Sequence, residues 1–89
     1  MSDVQSLVGL IVAELAAIVA EKGDRLPEIG PASVLLGAGL PVDSLDLATL
    51  LVVLEQKLKV DPFRRGLRLF TTVGELADLY AAELREIPS

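Results

Sequence analysis

The chain has 89 residues, 8 Lys+Arg against 13 Asp+Glu and a formal net charge of -5, which suits one small acidic domain. Its 52% hydrophobic content is too high for a disordered chain. With no His and no Cys it holds no Ser-His-Asp or Cys-His nucleophile, no thiolate or imidazole zinc site and no disulfide frame, and the acidic balance with 3% aromatic residues argues against nucleic acid as the main partner.

The first predicted element is a helix over residues 3–22. Ser2 and Gln5 match the S-x-x-Q capping box, in which each side chain bonds the other residue's backbone N–H. Leu7, Leu10, Ile11, Glu14, Leu15, Ile18 and Val19 then recur mostly at three- and four-residue steps. Lys22 suits the carboxyl end of a helix, and Gly23 can take the left-handed stop. The apolar run over residues 7–20 falls short of the about 20 residues that a spanning helix needs. The residues before it carry Asp3 and no Lys or Arg, unlike a secretory leader. The expectation is a buried helix of a cytoplasmic bundle.

Residues 23–43 hold Pro27, Gly30, Pro31, Gly37, Gly39 and Pro41, which leaves no helix of useful length. Ser33-Val34-Leu35-Leu36 could form a single turn. Leu26, Ile29, Val34, Leu35, Leu36, Leu40 and Val42 are expected to pack the connection down. A loop this long in a small domain is often functional.

A second helix is predicted over residues 44–59. Asp43 is its N-cap, Asp46 a further carboxylate in its first turn, and Lys57 and Lys59 lie at the opposite end of the dipole. Asp61-Pro62 reads as a cap followed by proline at the first position of a short helix or turn, limited by Gly66. Thr72-Val73-Gly74-Glu75 is a T-x-x-E capping box. It opens a last helix to about residue 86, with Val73, Leu76, Ala77, Leu79, Tyr80, Leu84 and Ile87 as its apolar set and Pro88 as its stop. No β-branched run alternates strictly, so the expected class is all-α, a bundle of three main helices and one short one.

A helical wheel with Ser44 at zero and about 100° per residue places Leu47, Leu50, Leu51, Leu54 and Leu58 in one core sector. Leu45, Ala48 and Val52 fall in a second sector beside Ser44 and Glu55. Either the helix is buried on most sides, or this sector is an exposed apolar stripe on which a partner docks. Burying one helix on all sides is hard in so small a bundle, which favours the stripe.

Ser44 stands at the mouth of this helix, where unpaired backbone N–H groups and the dipole favour an anion such as a phosphate ester. Asp43 and Asp46 oppose that anion unless a cation such as Mg²⁺ bridges carboxylate and phosphate oxygens. No base stands near to activate Ser44, so the chemical reading is a modification site. The plain alternative is that Asp43 and Ser44 only cap a helix.

Leu36-Gly37, Val42-Asp43-Ser44-Leu45-Asp46, a helix ending Val53-Leu54-Glu55, and Phe70-Thr71-Thr72-Val73-Gly74-Glu75-Leu76 follow one another in an order and spacing that resemble an acyl carrier protein over nearly the whole chain. The resemblance implies a four-helix acyl carrier domain over residues 1–89. It implies that Ser44 carries 4'-phosphopantetheine, delivered from coenzyme A by a phosphopantetheinyl transferase, with acyl groups held as thioesters on the arm. It implies recognition of Asp43 and Asp46 by that transferase, with Mg²⁺ in their complex, and docking of acyl-loading and acyl-processing enzymes on Leu45, Ala48, Val52 and Glu55.

The chain also departs from housekeeping fatty-acid carriers. Thr49, Gln56 and Lys57 stand where those often have Glu, Arg64, Arg65 and Arg68 make the third-helix region basic, and Gly39-Leu40-Pro41 lengthens the approach to Ser44. Encounter with basic partner enzymes should therefore be slower, and the expectation is a dedicated polyketide, modified-lipid or aminoacyl carrier. The plain alternative for the arginines is a solvated surface. The expected protein is a cytoplasmic monomer that is not an enzyme, holds no metal of its own and neither binds nucleic acid nor inserts into membrane. The competing readings are an unmodified helical module that binds a partner, and, remotely, a carboxylate-based enzyme whose cleft this length can hardly build.

Overall fold

The computed structural model describes residues 3–64, 66 and 68–85. They form three helices, α1 (Val4–Glu21), α2 (Ser44–Leu58) and α3 (Val73–Arg85). The start of α1 corrects the expected cap. Asp3 is the N-cap, and its Oδ1 accepts the Ser6 N–H at 2.7 Å. A carboxylate at this position satisfies an orphan donor and meets the positive pole of the helix. Ser2 lies outside the described residues. At the other end Gly23 takes φ +82°, its N–H bonds Ala20 O at 3.0 Å, and the Asp24 N–H bonds Val19 O at 3.1 Å. This is the paired-bond helix stop that glycine makes possible without steric cost.

By length and composition α1 is apolar enough to cross a membrane, with a mean hydropathy of 1.8. Its Leu7, Ile11, Leu15 and Val19 are nevertheless buried in the core. It packs against both α2 and α3. Two ion pairs set α2 antiparallel to it, Lys22 Nζ to Asp46 Oδ2 at 2.5 Å and Glu14 Oε2 to Lys57 Nζ at 2.9 Å. The core is completed by Leu47, Leu50 and Leu54 of α2, by Val73, Leu76, Ala77, Tyr80 and Ala81 of α3, and by Leu35 and Val42 of the connection. Each fully buried Leu contributes about 1.5–3 kcal/mol of transfer free energy.

The connection does not form the single turn that residues 33–36 allowed. Val34 bridges antiparallel to Thr72, the Leu35 N–H bonds Thr71 O at 2.9 Å, and the Val73 N–H bonds Ser33 O at 3.0 Å. Pairing with the segment that opens α3 satisfies donors of both segments, which a lone helical turn would leave to water. The extended backbone turns Leu35 inward and leaves Leu36 43% exposed, so Leu36 departs from the expected packing. Leu26, Ile29, Leu40 and Val42 do pack against or within the core.

α3 opens with the expected box. Thr72 Oγ1 accepts the Glu75 N–H at 3.1 Å, and Glu75 Oε1 accepts the N–H groups of Thr72 at 3.0 Å and Thr71 at 2.7 Å. The predicted end of α3 at Glu86, with Ile87 and Pro88 beyond, lies outside the described residues.

Residues 61–64 form turns rather than a helix. Asp61 Oδ1 accepts the Phe63 N–H at 2.9 Å, and Gly66, at φ +135°, donates its N–H to Phe63 O at 3.1 Å. A glycine at that φ ends any helical continuation. Arg65 and Leu67 lie outside the described residues, among which the protein is an all-helical three-helix bundle.

Candidate functional site

The mouth of α2 is built by a reciprocal pair. Asp43 is extended (φ -110°, ψ 179°), and its Oδ1 accepts the Asp46 N–H at 2.9 Å. Asp46 Oδ2 in turn accepts the Asp43 N–H at 3.1 Å. The spacing of the two aspartates thus makes a full capping box, where the residue pattern suggested a one-sided cap. The same Asp46 oxygen accepts Lys22 Nζ at 2.5 Å. The Lys22 ammonium, seconded by the Asp43 N–H, holds the Asp46 carboxyl below the usual carboxylate range against the opposing effect of burial. Asp46 in return raises Lys22 above the ordinary lysine range.

Ser44 is exposed at the first position of α2. The Leu47 N–H reaches Asp43 O at 3.1 Å and Asp43 takes the Asp46 N–H. Among the described residues, nothing in the chain accepts from the Ser44 and Leu45 N–H groups, the next two donors of this turn. They are left for water or an anion. The repulsion expected from two flanking carboxylates is also reduced, because Lys22 pairs directly with Asp46, while Asp43 stays exposed without a direct ion pair among the described residues.

The two sectors of α2 separate as the wheel divides them. Leu47, Leu50 and Leu54 are buried, and Leu51 and Leu58 are half-buried against the core. Leu45 is 74% and Val52 56% exposed, with Ala48 and Glu55 exposed beside them. A continuous apolar stripe therefore starts next to Ser44 and runs along the solvent side of the helix. Of the residues singled out around the site, Asp43, Ser44, Leu45, Ala48, Val52 and Glu55 share this open surface. Asp46 does not, at 7% exposure.

Lys22 was not legible as a site residue. Its place at the end of a helix is fully explained by the dipole, and no local pattern pairs positions 22 and 46. Of the arginines expected to form a basic surface, Arg64 is exposed and Arg65 lies outside the described residues. Arg68 leans on the buried Glu83, Nη2 to Oε2 at 3.8 Å. A separate open groove of about 700 Å³ lies between the first half of α1 and residues 29–31, lined by Val4, Val8, Val12, Ile29 and Pro31 among others.

The mouth of α2 thus offers an accessible hydroxyl, two free amides and an adjoining apolar stripe. Comparison of the chain with protein-family models, with curated proteins and with solved structures finds no match.

Proposed function

We propose that the protein is a carrier, with a 4'-phosphopantetheine arm attached to Ser44 and partner enzymes docking on the stripe that begins at Leu45. The observation that carries this reading is the exposed Ser44 on an open helix mouth, where Lys22 pairs with one of the two flanking carboxylates, beside Leu45, Ala48 and Val52. It joins the acyl-carrier-like order of segments around Asp43-Ser44-Leu45 and Thr72-Val73-Gly74. In this reading the bundle is of the acyl carrier type, and the turns at residues 61–64 stand where such carriers place a short helix.

The residues present fit such an arm. The Ser44 and Leu45 N–H groups are free to bond a phosphodiester, and Lys22 removes part of the opposing field. The arm supplies the thiol that the chain lacks, on which acyl groups are held as thioesters. Asp43 remains exposed for contact with the transferase, whereas Asp46 acts through the cap that shapes the turn. Leu45, Ala48 and Val52 give the apolar centre of a docking surface, and Glu55 belongs to its polar rim. Lys57 and the arginines favour partners other than those of a strongly acidic fatty-acid carrier, so the pathway is a dedicated polyketide, modified-lipid or aminoacyl one, placed in the cytoplasm.

Intact mass before and after incubation with coenzyme A, Mg²⁺ and a broad-specificity phosphopantetheinyl transferase tests the reading. A gain of one phosphopantetheine is expected. No gain, with a folded protein and a transferase active on a control carrier, would favour an unmodified helical module that binds its partner through the same stripe.

A further inference from the structure

We propose that Lys22 is a positioning residue for the anion on Ser44: from the end of α1 its ammonium offsets one of the two carboxylates that flank the serine and keeps the first turn of α2 in an anion-accepting form. The identity of that anion as a phosphodiester rests on the carrier reading. The charge argument does not.

The geometry is compact. One oxygen, Asp46 Oδ2, receives both Lys22 Nζ at 2.5 Å and the Asp43 N–H at 3.1 Å. The ammonium therefore sits beside the Asp43 peptide, one residue from Ser44. The charged groups around it are Asp46, Asp43 and Asp24, all negative. The carbonyl end of α1, where Lys22 is the C-cap, adds a further negative pole. Deleting the ammonium would leave these negative groups without their cation, with Asp43 and Asp46 flanking Ser44 uncompensated. Asp46, with 9% of its side chain exposed, would keep its charge with little help from water. Lys22 itself keeps 34% of its side chain exposed while its Nζ reaches Asp46.

A charge substitution tests this without any transferase. Ser44→Glu places a carboxylate where the phosphate would stand, and its effect on the folding equilibrium is compared in the Lys22 and Lys22→Met backgrounds by urea unfolding. The expected result is that Ser44→Glu lowers the folding constant about three- to tenfold more in the Met background at low salt. That difference should shrink as salt is added. Lys22→Gln keeps a donor for Asp46 without the charge, so it should behave as Met does, and Lys22→Arg should behave as Lys does. The Gln variant also serves if the Met variant does not fold. Equal effects of Ser44→Glu in the Lys, Met and Gln backgrounds would overturn the proposal, and so would a Gln variant that matches Lys.

Arm attachment gives the second readout. Lys22→Gln should accept the arm severalfold more slowly than wild type, with the rate restored in Lys22→Arg; equal rates in all three would count against Lys22. A wild-type chain that takes no arm removes the carrier reading and leaves the unfolding result on Lys22 standing. A wild-type chain that takes the arm while the coupling is absent removes the role of Lys22 alone.

Discussion

The two helix mouths that carry a hydroxyl, at Ser44 in α2 and Thr72 in α3, use the same capping chemistry and reach opposite states. At α3 the Thr72–Glu75 box closes the first turn, and the connection docks on what remains. Ser33 O takes the Val73 N–H at 3.0 Å, and Pro31 O takes the Gly74 N–H at 2.8 Å. At α2 the Asp43–Asp46 box is made in the same reciprocal way, yet among the described residues no backbone docks on it, and Ser44 and Leu45 are exposed. A capping box therefore does not decide whether a helix N-terminus is structural or available. The packing of the next segment over the first two amides decides it.

The largest expected effect separates the mouths by chemistry. Ser44→Ala should abolish arm attachment in intact-mass assays, with stability within about 0.5 kcal/mol of wild type by urea unfolding, because Asp43 and not Ser44 makes the cap. Gly74→Ala attacks the closed mouth. Its Cβ would lie 2.9 Å from Pro31 O, a backbone atom that cannot rotate away. Thermal or urea unfolding should show a loss of about 1–3 kcal/mol, in spite of alanine's better helix propensity.

Thr72→Ala removes the acceptor for the Glu75 N–H and should cost about 1 kcal/mol by the same measurement, while arm attachment at Ser44 continues. Acid should weaken both mouths together. Asp46 is held below its ordinary range first by Lys22, and Glu75 first by the Thr72 N–H. A depressed carboxylate contributes stability that is present above its unfolded value of about 4 and is lost as pH falls through the folded value. Unfolding midpoints should therefore be flat near neutrality and fall below about pH 4. The fall should be shallower in Asp46→Asn and in Glu75→Gln. The smallest effect belongs to the stripe. Val52→Glu should change stability by no more than about 0.5 kcal/mol, since Val52 is 56% exposed, and a loss above about 2 kcal/mol would place it in a core.

What could be read from the residues follows the range of the interactions. The three helices, the Gly23 stop, the Thr72–Glu75 box and the two sectors of α2 are set by contacts within a few positions, and they stand as the sequence pattern predicts. The features that escaped are made across the chain. Ser33, Val34 and Leu35 lack any strand-like alternation, and they become extended because the Thr71–Val73 segment offers partners. Asp46 reads as one more first-turn acid until Lys22 arrives from the end of α1 to bury it. Asp3 in place of Ser2 is a shift of one position between two good capping types, which propensity alone does not resolve. Ser44 itself was legible as a hydroxyl at a helix mouth. Its openness was not, because that depends on where the connection folds.

The most direct measurement is the location of the arm by fragmentation mass spectrometry after transferase treatment, with Ser44 and Thr72 as the two capped hydroxyl positions to be distinguished. The expected result is a single phosphopantetheine on the peptide containing Ser44 and none on the peptide containing Thr72. An adduct on Thr72 or on any other residue, or no adduct on a folded chain, contradicts the assignment of the open mouth of α2 as the carrier site.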